Sequence, residues 1–583
     1  MKSDAERKIT GIGVSPGVAI GPAFIIEQSG VPVPEYDIPS AQIEKEIKRF
    51  HGAISKVQKH LGHLQQKAES LPAGAEDMKL LLDAYKGMLS GSRLVRGVED
   101  IITKQRLNAE AAIQKQIGAL KASFASMNDE YLAARADDVG EVGTRLIRSL
   151  LQQNYNPFSE APEGCVILAE EITPADTALM NPDRVAGFAT VLGGAEGHAA
   201  IMARALGLPA ISGVATLTHG VRTGETVIVD GRGGEIIIRP DQATLQHYRQ
   251  ELARKKQEDK KLKGLRDVPA VTQDGMSITL QANMELPRDI DLALESGAVG
   301  IGLLRTEFMF MNRPDLPGED EQYEVLRKLV HKLDGRPLTV RTLDVGGEKI
   351  ASALGESVGE SANPALGLRA IRLGLKQPKL LDTQLAAIAR ASMHGPVRIL
   401  IPMVSSVAQM KQVRAHLLNV ERRLHRRGIK LKGLPPVGAM IEIPSAALVA
   451  DALAKVCDFF AIGSNDLTQY TLAIDRGDER VADLFDPFHP AVLRLIQFTA
   501  AAAWRANIPV SLCGEIAGDR RATSLLIGLG LRELSMSPLR LPGVKHEITQ
   551  TSLAQALTLS EAVMNKTDEG EIRALMTQSL ARK

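Results

Sequence analysis

Short apolar runs broken by glycine and proline occur near the start of the chain and again before residue 240. Residues 8–27 predict two strands and a tight turn, and strand-like runs return over residues 164–238. Between them, over residues 40–153, apolar residues recur at helical spacing and predict three or four packed amphipathic helices. We therefore expect a small α/β domain interrupted by a helical insert. The expected boundaries are 1–30 and 155–240 for the α/β domain and 36–153 for the insert.

A different pattern fills the second half of the chain. Residues 241–270 are charged on nearly every side and predict a solvated connecting helix. Over residues 271–583, eight apolar strand-like runs alternate with helix-like stretches, which predicts a (β/α)8 barrel, with a doubly wound open sheet as the alternative. The runs are 277–282, 299–304, 338–343, 397–403, 437–443, 459–463, 508–512 and 533–536.

The composition argues against nucleic-acid-binding, membrane-spanning and disulfide-rich classes of protein. The 583 residues carry 70 basic and 69 acidic side chains, so no overall charge favours nucleic acid or a membrane surface. Three cysteines argue against a disulfide framework and for a reducing compartment. The first residues contain no apolar signal-peptide core, and no apolar run is long enough to span a bilayer. We expect a cytoplasmic protein.

One histidine lies where phosphoryl chemistry is favoured. A strand-like run, 185–192, leads into Gly193-Gly194-Ala195-Glu196-Gly197-His198, and good helix formers follow. A helix N-terminus offers free N–H groups to an anion and disfavours extra positive charge, so His198 stays neutral and one ring nitrogen can attack phosphorus. The alternative is a histidine that serves only to start the helix.

Polar residues follow the expected barrel strands, where the loops of such a barrel build its site. Glu442 and Asp466 are separated by one helix-and-strand unit, so they are expected side by side, where a hard cation such as Mg²⁺ relieves their repulsion. Arg305 and Arg341 can each grip a carboxylate or phosphate. An amide and a thiol complete the pattern, Asn465 and Cys513. Alone, each arginine is more often a structural ion pair and the cysteine a small buried apolar group.

Several segments resemble a known family over essentially the whole chain. They are Gly11–Gly21, the histidine segment, Gly302–Phe308, Arg341–Gly347, Ile441–Ala446, Gly463–Tyr470, Asp475-Arg476-Gly477 and Cys513–Asp519. Together they are similar to enzyme I of the phosphoenolpyruvate-dependent sugar phosphotransferase system.

The resemblance implies a phosphoryl relay. It implies that His198 is phosphorylated, that Glu442 and Asp466 hold Mg²⁺, and that Cys513 protonates the enolate product. The residues that the resemblance assigns to phosphoenolpyruvate binding are Arg305, Arg341, Asn465 and Arg476. The helical insert then corresponds to the docking surface for the carrier protein HPr, and the barrel to the part that forms a homodimer.

Two other activities fit parts of the same pattern. One is a phosphoenolpyruvate synthase or pyruvate phosphate dikinase, which uses a similar swinging histidine on a small molecule but carries a large nucleotide-binding domain that this chain has no stretch for. The other is a regulatory, nitrogen-type relay enzyme. The chain departs from the enzyme I pattern at Glu196-Gly197, where the family usually has Thr-Ser before the histidine.

Overall fold

The chain folds into two units, Met1–Lys256 and Gln257–Lys583, whose boundary falls inside the helix Gln242–Lys263. That helix confirms the polar connector predicted from its charge pattern. The computed structural model describes residues 5–26, 33–69, 75–125, 130–152, 158, 161–172, 176, 180, 184–194, 200, 203–204, 206–217, 219–311, 313, 315–346, 363–475, 481 and 484–581.

The α/β part of the first unit is one eight-stranded sheet. Its strands, in chain order, are β1 (Arg7–Thr10), β2 (Ile12–Ser15), β3 (Val18–Ile26), β4 (Cys165–Ala169), β5 (Val185–Thr190), β6 (Ala210–Ser212), β7 (Thr226–Asp230) and β8 (Glu235–Ile238). Their order in the sheet is β1-β8-β7-β3-β4-β5-β6-β2. The central strands β3, β4 and β5 pair in parallel, and the predicted hairpin of β7 and β8 is antiparallel. The first segment forms three strands, not two, because Gly11 separates β1 from β2 and Pro16-Gly17 separates β2 from β3.

Within its described residues, 36–69, 75–125 and 130–152, the insert contains five helices rather than three or four. They are Ile43–Glu69, Ala75–Met88, Arg93–Gln105, Ala109–Ala125 and Glu130–Leu150. The spacing of apolar residues continues from one helix to the next, so it does not show where one helix ends and another begins. In the structure, capping residues set such boundaries. Ser92 caps one helix by accepting a hydrogen bond from the amide of Leu94, and Arg106 ends the same helix in the left-handed region. The apolar faces share one core that includes Phe50, Tyr85 and Ile102.

The second unit is the predicted barrel, closed in chain order, so the open-sheet alternative is wrong. Its strands are β9 (Thr279–Met284), β10 (Ile301–Leu304), β11 (Leu338–Arg341), β12 (Val397–Ile401), β13 (Val437–Ile441), β14 (Phe459–Ile462), β15 (Val510–Leu512) and β16 (Glu533–Met536). All neighbouring pairs are parallel, so every strand ends at the same mouth of the barrel.

Helices follow most of these strands. Among the residues of the second unit that the structure describes, the helices are Ile290–Glu295, Glu319–Leu333, Ala370–Lys376, Pro378–Ala391, Val407–Arg426, Pro444–Leu448, Ala450–Leu453, Ser464–Leu472, Pro490–Ala506, Thr523–Gly528, Leu541–Thr549, Leu553–Met564 and Glu569–Ala581. Side chains alternate along the strands, so Ile399 and Ile401 join the large core that includes the helices. Leu400 joins a small separate cluster that also contains Met440, Ala461 and Cys513. The barrel interior is therefore filled, and a site can form only at its mouth.

Few aromatic residues take part in these cores, as the 3% aromatic content predicts. The only tryptophan of the chain, Trp504, lies on the helix Pro490–Ala506 in the second unit. It is 57% exposed, and its Nε1 donates a hydrogen bond to the carbonyl of Gly530 at 2.8 Å. Cys165, Cys457 and Cys513 are buried and free, which confirms the absence of a disulfide framework. Among the helices of the described residues, none combines the length and apolarity that a membrane span requires.

Candidate active site

Polar side chains from five strands meet at the mouth of the barrel. Arg341 is the last residue of β11, and Arg305, Glu442 and Cys513 each follow a strand directly, β10, β13 and β15. Asn465 and Asp466 lie in the first turn of the helix Ser464–Leu472, which follows β14. The positions agree with the prediction that these residues occupy the strand ends.

Arg341 is held in a fixed geometry by two carboxylates. Its Nη2 lies 2.8 Å from Oε1 of Glu307, and its Nη1 lies 3.0 Å from Oδ2 of Asp344. Burial lowers the pKa of the guanidinium, but the carboxylates of Glu307, Asp344 and Glu442 outweigh it and raise that pKa above its usual value. Arg341 is therefore a permanent, oriented cation at the mouth.

A second arginine, which the sequence did not single out, completes this network. Arg369 donates from Nη2 to Oδ1 of Asp344 at 2.9 Å, and from Nε to the same oxygen at 3.2 Å. Burial opposes ionisation of Asp344, yet Arg341 and Arg369 hold the pKa of its carboxyl below the usual value. The segment that carries Arg369 therefore contributes positive charge to the same side of the mouth.

Glu442 is a fully buried carboxylate with one incompletely satisfied oxygen. Its Oε1 accepts a hydrogen bond from the amide of Met403 at 2.6 Å. Within the described part of the chain, nothing donates a hydrogen bond to its Oε2. Burial, together with the negative charges of Asp344 and Asp466, raises the pKa of Glu442 well above its usual value.

This arrangement fits a divalent cation. A buried acidic oxygen without a donor is costly unless a positive group approaches it. β13 and β14 are neighbours in the barrel, with Ile441 opposite Ile462, so Glu442 and Asp466 follow adjacent strands as predicted. Among the described residues no cluster of three or more His, Cys, Asp or Glu is arranged around a metal position. Two protein carboxylates are nevertheless enough for Mg²⁺, which retains waters and takes oxygens from a bound phosphate.

Cys513 is placed as a buried thiol with a defined orientation. Its amide donates to the carbonyl of Ile462 at 3.0 Å, and its Sγ lies 3.4 Å from the same oxygen. Burial, with the charge of Glu442, raises the pKa of this thiol to about 12. The group therefore carries its proton at neutral pH, as a proton donor must.

The two other predicted residues that the structure describes lie at the rim. Arg305 is 3.0 Å from the exposed carboxylate of Glu285, and its side chain is 43% exposed. Asn465 donates from its amide nitrogen to Glu515 at 3.1 Å and accepts from the backbone amide of Glu515 at 2.9 Å. The rim therefore offers a partly exposed cation and an oriented amide to a ligand.

Two predicted residues, His198 and Arg476, lie outside the described residues, as does Glu196-Gly197. His198 belongs to the first unit, in the segment that follows β5. Its role and that of Arg476 remain predictions.

Family models match three consecutive parts of the chain. Residues 259–553 match the PEP-binding domain of PEP-utilising enzymes, residues 10–135 match their N-terminal domain, and residues 161–234 match their mobile domain.

Curated relatives are similar over almost the whole chain. A phosphoenolpyruvate-protein phosphotransferase of Cupriavidus necator is 41% identical over 579 residues, which cover 97% of this chain and 98% of the relative. Proteins of the same name from a Bacillus species and from Geobacillus stearothermophilus are each 39% identical over 560 residues, covering 96% of both chains.

Proposed function

The chain belongs to the family of phosphoenolpyruvate-protein phosphotransferases, and on this premise we propose that it transfers a phosphoryl group from phosphoenolpyruvate to its own His198. The phosphohistidine then passes the group to a histidine of a phosphocarrier protein of the HPr type, and pyruvate is released. The observation that carries the proposal is the convergence of Arg341, Glu442 and Cys513 at one barrel mouth. These groups match the needs of a phosphorylated acid whose enolate must be stabilised and protonated.

The domains take separate parts in this relay. We assign phosphoenolpyruvate binding to the barrel of residues 271–583 and the phosphohistidine to the α/β domain of residues 1–30 and 155–240. The helical insert of residues 36–153 is proposed as the docking surface for the carrier, and the barrel as the dimerisation domain. Three free cysteines are consistent with a cytoplasmic location.

The barrel contributes positioning and charge rather than covalent chemistry. Arg341 presents a planar fork at a fixed position, which suits the paired oxygens of a phosphate or carboxylate. Arg305, at the exposed rim, and Arg476 are proposed to close on the ligand from other sides. His198 attacks the phosphorus in line, and the enolate oxygen leaves as the P–O bond breaks.

Glu442 and Asp466 are proposed to hold Mg²⁺. When bound there, the ion neutralises negative charge on the phosphate and the enolate oxygen. After transfer, Cys513 gives its thiol proton to C3 of the enolate, which forms pyruvate, and the thiolate regains a proton from water.

Labelling with ³²P-phosphoenolpyruvate tests the relay. We expect one acid-labile, base-stable phosphoryl group on the wild-type chain in the presence of Mg²⁺, and a loss of at least about 100-fold in His198→Ala, because no other nucleophile replaces the imidazole. Addition of HPr should remove the label from the wild-type chain.

His219→Ala is the matched control for that experiment, since it removes another imidazole of the first unit and should label normally. Equal labelling of His198→Ala and wild type would contradict the assignment of the phosphorylated residue. ATP-dependent phosphorylation of pyruvate would instead favour a small-molecule phosphotransferase.

Glu442→Gln and Asp466→Asn test the metal site. We expect both variants to lose Mg²⁺-dependent labelling. We also expect metal-free Glu442→Gln to melt about 2 °C higher than wild type, because the change removes a buried negative charge. Mg²⁺ should raise the melting temperature of the wild type and leave that of Glu442→Gln unchanged.

The exposed Glu295→Gln, on another helix of the second unit, serves as the control and should respond to Mg²⁺ as the wild type does. If Glu442→Gln retained both its labelling and its thermal response to Mg²⁺, the ion would have to bind elsewhere.

A further inference from the structure

Two linked hydrogen bonds connect three neighbouring barrel strands, β9, β16 and β15, next to Cys513. We propose that Asn283 and Ser535 are positioning residues that hold the backbone carbonyl of Cys513, and that through it they direct the thiol proton to one face of the enolate. This inference rests on the proposed function, because it concerns how the proposed proton donor is aimed.

Asn283 reaches Cys513 across an intervening strand. Its Nδ2 donates to the carbonyl oxygen of Cys513 at 2.9 Å, although β16 lies between β9, which carries Asn283, and β15. On the intervening strand, Ser535 donates from its buried hydroxyl to Oδ1 of Asn283 at 2.6 Å. One end of the amide must accept from Ser535 and the other must donate to Cys513, so this pairing allows a single orientation of the Asn283 side chain.

The contact replaces a backbone hydrogen bond that the sheet no longer provides. The pairing of β15 with β16 ends at Leu512 opposite Leu534. One residue later, the amide of Cys513 is still bonded to Ile462 on the other side, but its carbonyl faces the Asn283 side chain. The backbone of Cys513 is therefore held by two hydrogen bonds, one at its amide and one at its carbonyl, and the second depends on a single side chain.

The barrel leaves space for this chain at Gly302. A Cβ atom at Gly302 would lie 2.5 Å from Oγ of Ser535 and 2.6 Å from Oε1 of Gln281. Both distances are too short for a real contact, so any side chain there would displace the Ser535 hydroxyl. The absence of a side chain at residue 302 thus permits the Ser535–Asn283–Cys513 connection.

The connection matters because it fixes the direction from which the thiol proton reaches the enolate. The enolate left by phosphoryl transfer has two open faces at C3, and a donor held at one position protonates only one of them. The C–H bond forms at C3 as the S–H bond breaks, and the resulting thiolate is reprotonated by water. A thiol that swings freely, or protonation by water itself, removes that selectivity.

Three variants of the full-length protein test the proposal. Asn283→Leu removes both polar ends in a similar volume, Ser535→Ala removes only the anchor of the amide, and the third variant combines the two changes. With phosphoenolpyruvate isotopically labelled at C3 and turnover in deuterated water, the chirality of the methyl group of pyruvate reports the face of protonation. Asn419→Leu, on the exposed surface of the helix Val407–Arg426, is the matched control.

We expect wild type and control to yield one methyl configuration. Asn283→Leu should yield a nearly racemic methyl group, with kcat for pyruvate formation reduced about tenfold and KM for phosphoenolpyruvate within about twofold of the wild type. Ser535→Ala should show a smaller loss of selectivity. The double variant should match Asn283→Leu alone, because both changes break one chain.

Retention of a single configuration in Asn283→Leu would overturn the proposal, and so would additive losses in the double variant. If Asn283→Leu failed to fold, Ser535→Ala would decide, because it removes one hydroxyl. Failure of the relay itself is recognised separately: in that case the wild-type chain would form no phosphohistidine, whereas a wrong assignment of Asn283 leaves wild-type labelling intact.

Discussion

At the scale of single residues, the barrel mouth depends on charges that are buried before any ligand arrives. Arg341 forms ion pairs with both Glu307 and Asp344. Within the described residues, nothing accepts a hydrogen bond from its Nε. A guanidinium provides enough donors to keep both carboxylates and still face a ligand. An ammonium group provides a single point of charge.

We therefore expect Arg341→Lys to be nearly as harmful as Arg341→Ala, with kcat/KM for phosphoenolpyruvate reduced at least about 100-fold in both. The alanine variant should also be less stable, since it leaves Glu307 without its cation and Asp344 paired with Arg369 alone. Steady-state pyruvate formation and thermal melting measure the two effects. Arg505→Lys, at an exposed pair with Asp451, is the control and should be unaffected. A mild phenotype for Arg341→Lys would place this residue outside the substrate site.

At the scale of elements, the start of the helix Ser464–Leu472 is pressed against the loop after β15. A Cβ atom at Gly514 would lie 1.7 Å from Oγ of Ser464 and 2.9 Å from its backbone nitrogen. This close approach joins the turn that carries Asn465 and Asp466 to the segment that begins with Cys513. The residues proposed to hold the metal and the residue proposed to donate the proton are thus fixed relative to each other by the lack of one side chain.

Gly514→Ala should separate these two elements. We expect a loss of about 1–3 kcal/mol of stability from overpacking and a weaker response to Mg²⁺, measured by thermal melting with and without the ion. Gly318→Ala is the control, because a Cβ atom there meets nothing within 4 Å. Unchanged melting of Gly514→Ala would show that the helix can shift without cost.

The barrel strands show which parts of the fold the sequence predicts and which it does not. The barrel strands lie within mostly apolar runs, so the sequence predicts all eight. Four predicted runs extend past the end of their strand, 338–343, 397–403, 437–443 and 459–463, whereas the run 277–282 stops two residues before the end of β9 at Met284. The predicted run 397–403 ends as a strand at Ile401, because Pro402 lacks an amide hydrogen and Met403 adopts a φ of 57°.

Site residues at strand ends were predictable because a parallel barrel brings those ends together. Glu442, Arg341 and Cys513 followed from that rule alone. Arg369 and Asn283 had no such signal, since their partners lie 25 and 230 residues away and only the folded chain brings them near. The one local sign for Asn283 is that it is a polar residue next to the end of its strand, and this sign could have marked it as a candidate.

At the scale of the whole molecule, the predicted nucleophile and the predicted substrate site belong to different units. His198 lies in Met1–Lys256, whereas Arg341 and Glu442 lie in Gln257–Lys583. If these two groups react as proposed, covalent linkage through the connector Gln242–Lys263 is expected to give them a high effective concentration.

Cutting the chain at a protease site inserted between Lys256 and Gln257 should change the kinetic order of the reaction. In the uncut protein the first-order rate of phosphohistidine formation is independent of protein concentration. After cleavage it should fall about 100-fold or more at micromolar protein and rise in proportion to concentration. Single-turnover labelling over a dilution series measures this. A cut enzyme with an unchanged, dilution-independent rate would show that the connector is not needed for the encounter.

Because Trp504 lies in the second unit, tryptophan fluorescence can distinguish unfolding of the two units. As the sole indole of the chain it reports only on the barrel, and its half-exposed ring loses its hydrogen bond to Gly530 when the neighbouring helices separate. Tryptophan emission, excited at wavelengths that tyrosine does not absorb, therefore follows melting of Gln257–Lys583, whereas Met1–Lys256 contains tyrosines but no tryptophan. Comparison with circular dichroism separates the two transitions without any attached dye.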